Sequence, residues 1–138
     1  MERGKRNFLM KATSLPELSC QRRSLTERFK AAIKENLASA DVADEARSVQ
    51  FYAGILLVHP NYLNAVVKQS TGKPAIRHIH QQVIDEAKSL LRQTGLSVKE
   101  ISYRLAFREP AHFHTFFRKN TNQTPNGYRR LCRTMIYH

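Results

Sequence analysis

The feature that most restricts the fold of this chain is an internal repeat, in which its C-terminal third resembles its middle. One set of matching residues lies 49 positions apart, in the pairs Tyr52 and Ile101, Ala53 and Ser102, Leu56 and Leu105, and Val58 and Phe107. A second set lies 50 positions apart, in the pairs Pro60 and Pro110, Leu63 and Phe113, Val66 and Phe116, Val67 and Phe117, Lys68 and Arg118, Thr71 and Thr121, and Gly72 and Asn122. The offset changes from 49 to 50 between the two helices of each copy, where a turn can accommodate one extra residue. Each copy is therefore predicted to be a short helix, a tight turn and a longer helix, which is the shape of a helix-turn-helix.

The segment between the two copies predicts a single long helix that begins at Pro74 and ends near Gln93, before Gly95. Its apolar residues recur with the helical period, at Ile76, Ile79, Val83, Ile84, Ala87, Leu90 and Leu91. A helix of this length measures about 28 Å at 1.5 Å per residue. Neighbouring turns on one face of DNA lie about 34 Å apart. This spacer would therefore allow the two copies to lie side by side in successive major grooves.

The rest of the chain is also predicted to be helical, with no useful stretch of β-alternation. Before the repeat, Phe29, Ile33 and Leu37 form an apolar stripe, and Ser24 with Glu27 has the spacing of a capping box. Residues 1–24 are expected to be an N-terminal tail or a linker remnant, in which Pro16 interrupts any helix. In the second copy, further helices are predicted to begin at Ser97, which has capping-box spacing with Glu100, at Glu109-Pro110, and at Thr124-Pro125.

The composition indicates a globular domain with an anionic partner. The chain has 138 residues, of which 41% are hydrophobic, and its formal net charge is +12. Such a surplus of positive charge favours a polyanion, although charge alone does not distinguish nucleic acid from a membrane surface. No apolar stretch approaches the length of about 20 residues of a membrane span, and no signal peptide is visible. Cys20 and Cys132 form no metal-ligand spacing, so we expect a cytoplasmic protein with reduced thiols.

The second copy carries a recognisable pattern. The run from Leu96 to Phe107, followed by Glu109–Phe113, Phe116–Lys119 and Thr124–Arg129, resembles the signature of AraC/XylS-type bacterial transcription regulators. The first copy is similar to the N-terminal half of that family's domain, and the resemblance covers about residues 25–130. It implies an all-α, seven-helix domain over residues 25–138, with two helix-turn-helix units at about 49–72 and 97–120 joined by the long central helix at about 74–93.

The resemblance also implies a function, which is sequence-specific binding of double-stranded DNA in transcription regulation. Family members usually carry this domain at the C-terminus of a larger protein, so we expect RNA polymerase as a partner and a missing N-terminal sensor or dimerisation domain. This chain departs from the family pattern at several positions. Ala106 and Asn122 stand where Gly is common, and Ala65, Thr115 and Val83 stand where Arg is common.

The recognition helix of each copy, its longer helix, is predicted to have a core face and a DNA face. Tyr62, Leu63, Val66 and Val67, and in the second copy Phe113, Phe116 and Phe117, are expected to pack in the core. The candidates for base contact are Asn61, Asn64, Ala65, Ala111, His112, His114 and Thr115. Asn can bond adenine through two atoms, and Ala can contact the thymine methyl group. The candidates for phosphate contact are Lys68, Arg108, Arg118, Lys119, Arg129 and Arg130.

Catalysis is not predicted, and neither is a metal or a cofactor. His112 and His114 are two residues apart on a helix and point to different sides, as do His78 and His80. The competing hypothesis is a basic helical module that binds a protein or RNA through its charge. Any antiparallel helix pair gives a similar apolar spacing, so the repeat alone does not separate the two hypotheses. Duplex RNA would exclude the recognition helices, because its major groove is too narrow.

Overall fold

The computed structural model describes residues 15–39, 42 and 45–136. Within those ranges it contains seven helices and no strand, so the predicted all-α fold is confirmed. The helices are α1 (Leu15–Ala38), α2 (Val49–Leu56), α3 (Pro60–Thr71), α4 (Ala75–Gln93), α5 (Val98–Arg104), α6 (Pro110–Thr121) and α7 (Pro125–Ile136). Helices α2 and α3 form the first helix-turn-helix unit, and α5 and α6 form the second.

The first helix begins nine residues earlier than the predicted start at Ser24, since α1 runs from Leu15. Pro16 does not interrupt this helix, because it occupies the first turn, where a missing N–H costs nothing. Ser24 and Glu27 lie inside α1, so their spacing does not mark a capping box. Residues 1–14 and the side chain of Cys20 lie outside the described residues, and the predicted tail remains a prediction there.

Helix α1 completes the first unit by packing against α3 and α4. Its predicted apolar stripe is confirmed, because Phe29, Ile33 and Leu37 are almost fully buried. Burial of each such side chain stabilises the fold by about 1.5–3 kcal/mol. The hydroxyl groups of Thr26 and Ser70 lie 2.6 Å apart and form a hydrogen bond between α1 and α3.

Helix α4 joins the two units, since it packs against α1, α2 and α3 on one side and against α5 and α7 on the other. Its predicted apolar face is confirmed at Ile79, Val83, Ile84, Ala87, Leu90 and Leu91. Ala75 is buried as well, whereas Ile76 is only half-buried. Both units are thus held to a single helix of 19 residues, about 28 Å long.

The sequence repeat is reproduced in the hydrogen bonds of the two turns. Each turn contains a residue in the left-handed conformation, Leu57 with φ of 59° and Ala106 with φ of 68°. In each turn the next residue donates its N–H back to the preceding helix, from Val58 to Ala53 and from Phe107 to Ser102, at 3.0 Å in both. The two turns are therefore the same structure, although neither contains the glycine that the left-handed conformation favours.

The ends of the two longer helices also match. Gly72 ends α3 with φ of 82°, and Asn122 ends α6 with φ of 62°. Each donates its N–H over 2.8 Å to the carbonyl four residues earlier, on Lys68 and Arg118 respectively. Asn is one of the few residues that tolerate this conformation, which explains how it replaces glycine in the second unit. The capping box predicted at Ser97 and Glu100 is confirmed at the start of α5.

We expect Leu57→Gly to stabilise the protein. The left-handed conformation costs a residue with a Cβ atom about 1–2 kcal/mol, and the side chain of Leu57 is 90% exposed, so little packing is lost. After allowance for the greater freedom of glycine in the unfolded chain, the gain should be about 1 kcal/mol. The free energy of unfolding from urea titration measures it.

Leu57→Ala is the matched control, because it removes the same exposed side chain but keeps the Cβ atom. Its stability should stay within about 0.5 kcal/mol of the wild type. A Gly variant no more stable than the Ala variant would contradict the presence of strain in this turn.

Candidate nucleic-acid interface

The two recognition helices, α3 and α6, are built alike. Each has 12 residues, begins with a proline, and follows a residue in the extended conformation, His59 or Glu109. Proline fits the first helical position because its fixed φ suits a helix and its missing N–H would be unpaired there. The Nδ1 atom of His59 accepts a hydrogen bond of 3.1 Å from the backbone N–H of Asn61. Both helices therefore begin with the same backbone geometry, but only α3 has a side-chain cap, because Glu109 caps no N–H group of α6.

The inner faces of these helices form part of the core, as predicted. Leu63, Val66 and Val67 of α3 are buried, as are Phe113 and Phe117 of α6. Phe116 is only half-buried, and its ring packs edge-on against the ring of His80 at 5.1 Å between centroids.

The prediction that Tyr62 packs in the core is wrong, because its side chain is 51% exposed. Successive residues of a helix are about 100° apart around the axis, and the buried stripe of α3 is centred on Leu63, Val66 and Val67. Tyr62 lies beside that stripe, on the same exposed side as Asn61. Counting 100° per residue along the sequence of α3 already places Tyr62 outside the buried stripe.

The outer face of α3 presents exposed side chains of mixed chemistry. Asn61, Tyr62, Ala65 and Lys68 are all exposed. This face therefore offers an amide, a phenol, a methyl group and one positive charge.

Asn64 has a different place from the one predicted. It is half-buried, and its Oδ1 atom accepts a hydrogen bond of 2.9 Å from the backbone N–H of Ala75, the first residue of α4. The first N–H groups of a helix have no partner within the helix, and Pro74 has no side chain that could accept a hydrogen bond from them. Asn64 thus caps α4 through its Oδ1 atom, and its base contact stays a prediction that this hydrogen bond disfavours.

The outer face of α6 is exposed at every predicted position: Ala111, His112, His114, Thr115, Arg118 and Lys119. His114, Thr115, Arg118 and Lys119 are brought together with Asn122 around a shallow concavity of about 560 Å³. His112 lies apart from them, with its Nε2 atom 3.5 Å from a carboxylate oxygen of Glu109. The second recognition helix therefore carries two histidines and two positive charges where the first carries one charge.

Arg129 also departs from its prediction as a phosphate contact. Its Nε atom donates to the carbonyl of Leu91 at 3.1 Å, and Nη2 donates to the carbonyl of Thr94 at 3.3 Å. These carbonyls lie at the C-terminal end of α4, where a cation is favourable. Arg129 therefore caps this end of α4, whereas the other phosphate candidates, Lys68, Arg108, Arg118, Lys119 and Arg130, are exposed.

Positive charge around α4 acts on its two histidines. Burial lowers the pKa of His80, and the positive charges of Arg47, Lys119 and Arg77 lower it further. Burial likewise lowers the pKa of His78, together with Lys30 and Lys73, and its Nε2 atom lies 2.9 Å from the hydroxyl of Thr71. Both imidazoles are therefore neutral near pH 7.

Arg47 is a contact that sequence reasoning missed. It lies in the turn before α2, yet its Nη2 atom donates to the carbonyl of Ala106 in the turn of the second unit, at 3.0 Å. Its guanidinium carbon lies 4.0 Å from the centre of the Phe107 ring. Position 47 follows a polar segment with no helical period, so the sequence holds no signal for a partner 59 residues away.

In the part of the chain that the structure describes, no cluster of three or more His, Cys, Asp or Glu side chains could hold a metal ion. Over the same residues, no helix combines the length and the hydropathy that crossing a membrane requires.

Comparison with known proteins places this architecture in a family. A family model described as a helix-turn-helix domain matches residues 52–131, which include most of α2 and all of α3, α4, α5 and α6. The chain is 31% identical over 121 residues to the HTH-type transcriptional activator RhaS of Salmonella schwarzengrund. It belongs to the AraC-type family of helix-turn-helix transcription regulators. The match covers 88% of this chain but only 41% of RhaS, so the chain spans about two fifths of the length of that relative.

Solved structures of AraC-type domains share the fold. The C-terminal domain of AraT, a response regulator from Geobacillus stearothermophilus, is 28% identical with a TM-score of 0.67, over 78% of this chain and 84% of that one. The DNA-binding domain of AdpA, solved in complex with a target DNA, has the same TM-score at 22% identity, over 80% of this chain and 94% of that one. At 22% identity, the likeness to the AdpA domain shows a shared fold and nothing more.

Acidification should destabilise the protein through His78 and His80. Their pKa values in the folded state lie below the ordinary value of 6.5, so the unfolded chain binds more protons as the pH falls below about 6.5. Their contribution to stability is therefore complete above that pH and decreases from there down to the lowered pKa values. We expect the free energy of unfolding to decrease between about pH 7.5 and about pH 5.5.

A His78→Gln, His80→Gln double variant should lose less stability over the same range. Urea titrations at each pH measure the difference, and a series at about pH 8, where both histidines are neutral, gives the packing cost of the substitutions. A double variant with the same pH dependence as the wild type would show that these two residues do not control it.

Proposed function

We propose that this chain is a sequence-specific, double-stranded-DNA-binding module of a transcription regulator, in which α3 and α6 enter successive major grooves. The observation that carries this proposal is the equivalence of the two recognition helices. They have the same length, the same proline start and the same left-handed end, and each buries one face and exposes the other. An exposed helical face with side chains that can bond base edges is what a major groove accepts.

The spacing of the two units supports binding to one face of the DNA. Helix α4 is about 28 Å long, close to the roughly 34 Å between neighbouring turns of the duplex. Because the units follow each other head to tail in one chain, a single copy would cover two half-sites. Those half-sites need not be palindromic, unlike the half-sites of a symmetric dimer.

We assign base contacts to the exposed residues near the N-terminal ends of both helices. In the first unit these are Asn61, Tyr62 and Ala65. In the second unit they are Ala111, His112, His114 and Thr115. Asn61 can bond adenine through two atoms, and alanine side chains suit the thymine methyl group. The two helices would therefore read different sequences.

We assign phosphate contacts to the exposed basic residues Lys68, Arg108, Arg118, Lys119 and Arg130. Half to two-thirds of the hydrogen bonds between proteins and DNA go to phosphate and sugar. The formal net charge of +12 supplies long-range attraction to such a polyanion. Affinity should therefore fall steeply as salt rises.

The wider context is proposed from the relatives. The name of RhaS describes a transcriptional activator, and this chain matches only 41% of its length. We propose that a sensor or dimerisation domain accompanies this module in the whole regulator, that RNA polymerase is a partner, and that the protein acts in the cytoplasm without enzymatic activity. We also propose that the DNA-binding domain starts with α1, earlier than the boundary at residue 25 that the sequence suggested.

Selection of bound sequences from random duplex DNA tests the proposal. We expect two different half-sites whose centres lie about 10–10.5 base pairs apart. The selected duplex should compete more strongly than scrambled DNA or the same sequence as duplex RNA, at fixed salt. Equal binding of all three would instead favour a basic module that recognises charge alone.

Changing the distance between the half-sites tests the rigid spacer. Insertion of about five base pairs turns the second half-site to the opposite face, so affinity should fall to that of a single half-site. Insertion of ten base pairs restores the face but adds about 34 Å, which α4 cannot span, so affinity should stay low. Gel-shift titrations measure both, and recovery with ten base pairs would mean that the units sit on a flexible tether or on separate chains.

Asn61→Ala and Asn64→Ala form a matched pair on one helix. Asn61→Ala should cost about 1–3 kcal/mol on the selected site and far less on random DNA. Asn64→Ala should lower the free energy of unfolding by about 1 kcal/mol, through the lost cap of α4, and leave the ratio of specific to random affinity unchanged. Binding titrations on both DNAs and urea unfolding measure these values. If Asn64→Ala reduced the ratio and Asn61→Ala did not, the two assignments would be reversed.

A further inference from the structure

The two helix-turn-helix units are connected through α4 and make few direct contacts with each other. Among the described residues, α2 and α3 have no substantial packing against α5 or α6, and α4 is the helix that packs against both units. A single helix fixes the distance between its two partners well. Rotation of the second unit about α4 is restrained by α7, which packs against both α4 and α6, and by any direct contact between the two units.

Arg47 supplies a link between the units. The hydrogen bond of 3.0 Å from its Nη2 atom ends on the carbonyl of Ala106, at the centre of the second turn. Its guanidinium lies over the ring of Phe107, with the guanidinium carbon 4.0 Å from the ring centre. A guanidinium can donate hydrogen bonds and stack on an aromatic face at the same time, and an ammonium group does not replace it in both roles.

The base from which Arg47 extends is rigid. Ala46 is fully buried, and the hydroxyl of Tyr52 donates a hydrogen bond of 2.6 Å to its carbonyl. Ser48, the N-cap of α2, bonds through its N–H and its hydroxyl to the carbonyl of Glu45, at 2.9 Å in both cases. The turn that carries Arg47 is thus closed by its own hydrogen bonds and fixed to α2 through Tyr52.

Phe107, on which the Arg47 guanidinium packs, contacts the second recognition helix directly. The Phe107 ring packs against Phe113 and Phe116 of α6, at 5.3 and 5.5 Å between ring centroids. Phe113 is fully buried, so a displacement of Phe107 would be transmitted to α6. Contacts therefore run without a break from α2 through Arg47 and Phe107 to α6.

We propose that Arg47 is a positioning residue that fixes the orientation of α6 relative to the first unit, and thereby sets how strictly the protein requires its half-site spacing. This inference rests on the proposed binding of two half-sites by one chain. Arg47 need not touch DNA to have this effect. Without the link the second unit would sample several orientations, and the ordering needed to engage both grooves would weaken binding.

The test compares the wild type with Arg47→Ala and Arg47→Lys on four DNAs. These are the selected site, the same site with the second half-site scrambled, and two sites with one base pair added or removed between the halves. For Arg47→Ala we expect about a tenfold loss of affinity on the selected site and no change on the single half-site. The preference for the selected spacing over the altered spacings should shrink. Arg47→Lys should behave like Arg47→Ala, because it keeps the charge but loses the guanidinium geometry.

Arg28→Ala on α1 is the control for the loss of one exposed positive charge, and it should keep the spacing preference of the wild type. Thermal unfolding of each variant shows whether it is folded at the assay temperature, and Arg47→Gln replaces Arg47→Ala if the latter is not. An equal loss of affinity on all four DNAs would overturn the proposal in favour of a phosphate contact, and so would wild-type behaviour of Arg47→Lys. Failure of the wild type itself to distinguish the full site from the single half-site would instead refute the two-half-site function.

Discussion

The burial of one face of α4 is the constraint on which the rest of the structure depends. Ile79, Val83, Ala87 and Leu91 lie within a core to which the helices of both units contribute. A helix-turn-helix unit of two short helices has too little apolar surface to fold alone. The first unit gains that surface from α1 and α4, and the second gains it from α4 and α7. The helix that stabilises each unit is therefore also the one that sets the distance between them.

Both ends of α4 are capped by side chains from neighbouring helices. Asn64 of α3 binds the first N–H of α4, and Arg129 of α7 binds carbonyl groups at its C-terminal end. These bonds satisfy backbone groups that no residue of α4 itself can satisfy. They also tie the N-terminal half of α3 to the start of α4, and they tie α7 to the end of α4. The polar side chains that stabilise the ends of α4 therefore also help to position the two units on it.

The helices and their buried faces could be predicted from the sequence because periodicity reports them directly. Glycine, proline and the capping residues at 72, 74 and 97 marked the ends of elements correctly, because their effect on the backbone is local. Pro16 is ambiguous in the sequence, because a proline in the first turn of a helix looks the same as a proline that breaks one. The hydrogen bonds of Asn64 and Arg129 cannot be predicted from the sequence, because their partners, on Ala75 and Leu91, are backbone groups that a pattern of side chains does not reveal.

The two recognition helices present unlike surfaces although they are built alike. The repeat preserves the residues that build each unit, namely the proline start, the apolar inner face and the left-handed turns. It does not preserve the outer faces, where Asn61 and Ala65 of α3 correspond to Ala111 and Thr115 of α6, each 50 positions later. Positive charge is concentrated on α6, with Arg118 and Lys119, whereas α3 carries Lys68. Phosphate attraction would therefore act mainly on the second unit, and the neutral hydrogen-bonding surface of α3 would contribute more to discrimination between bases.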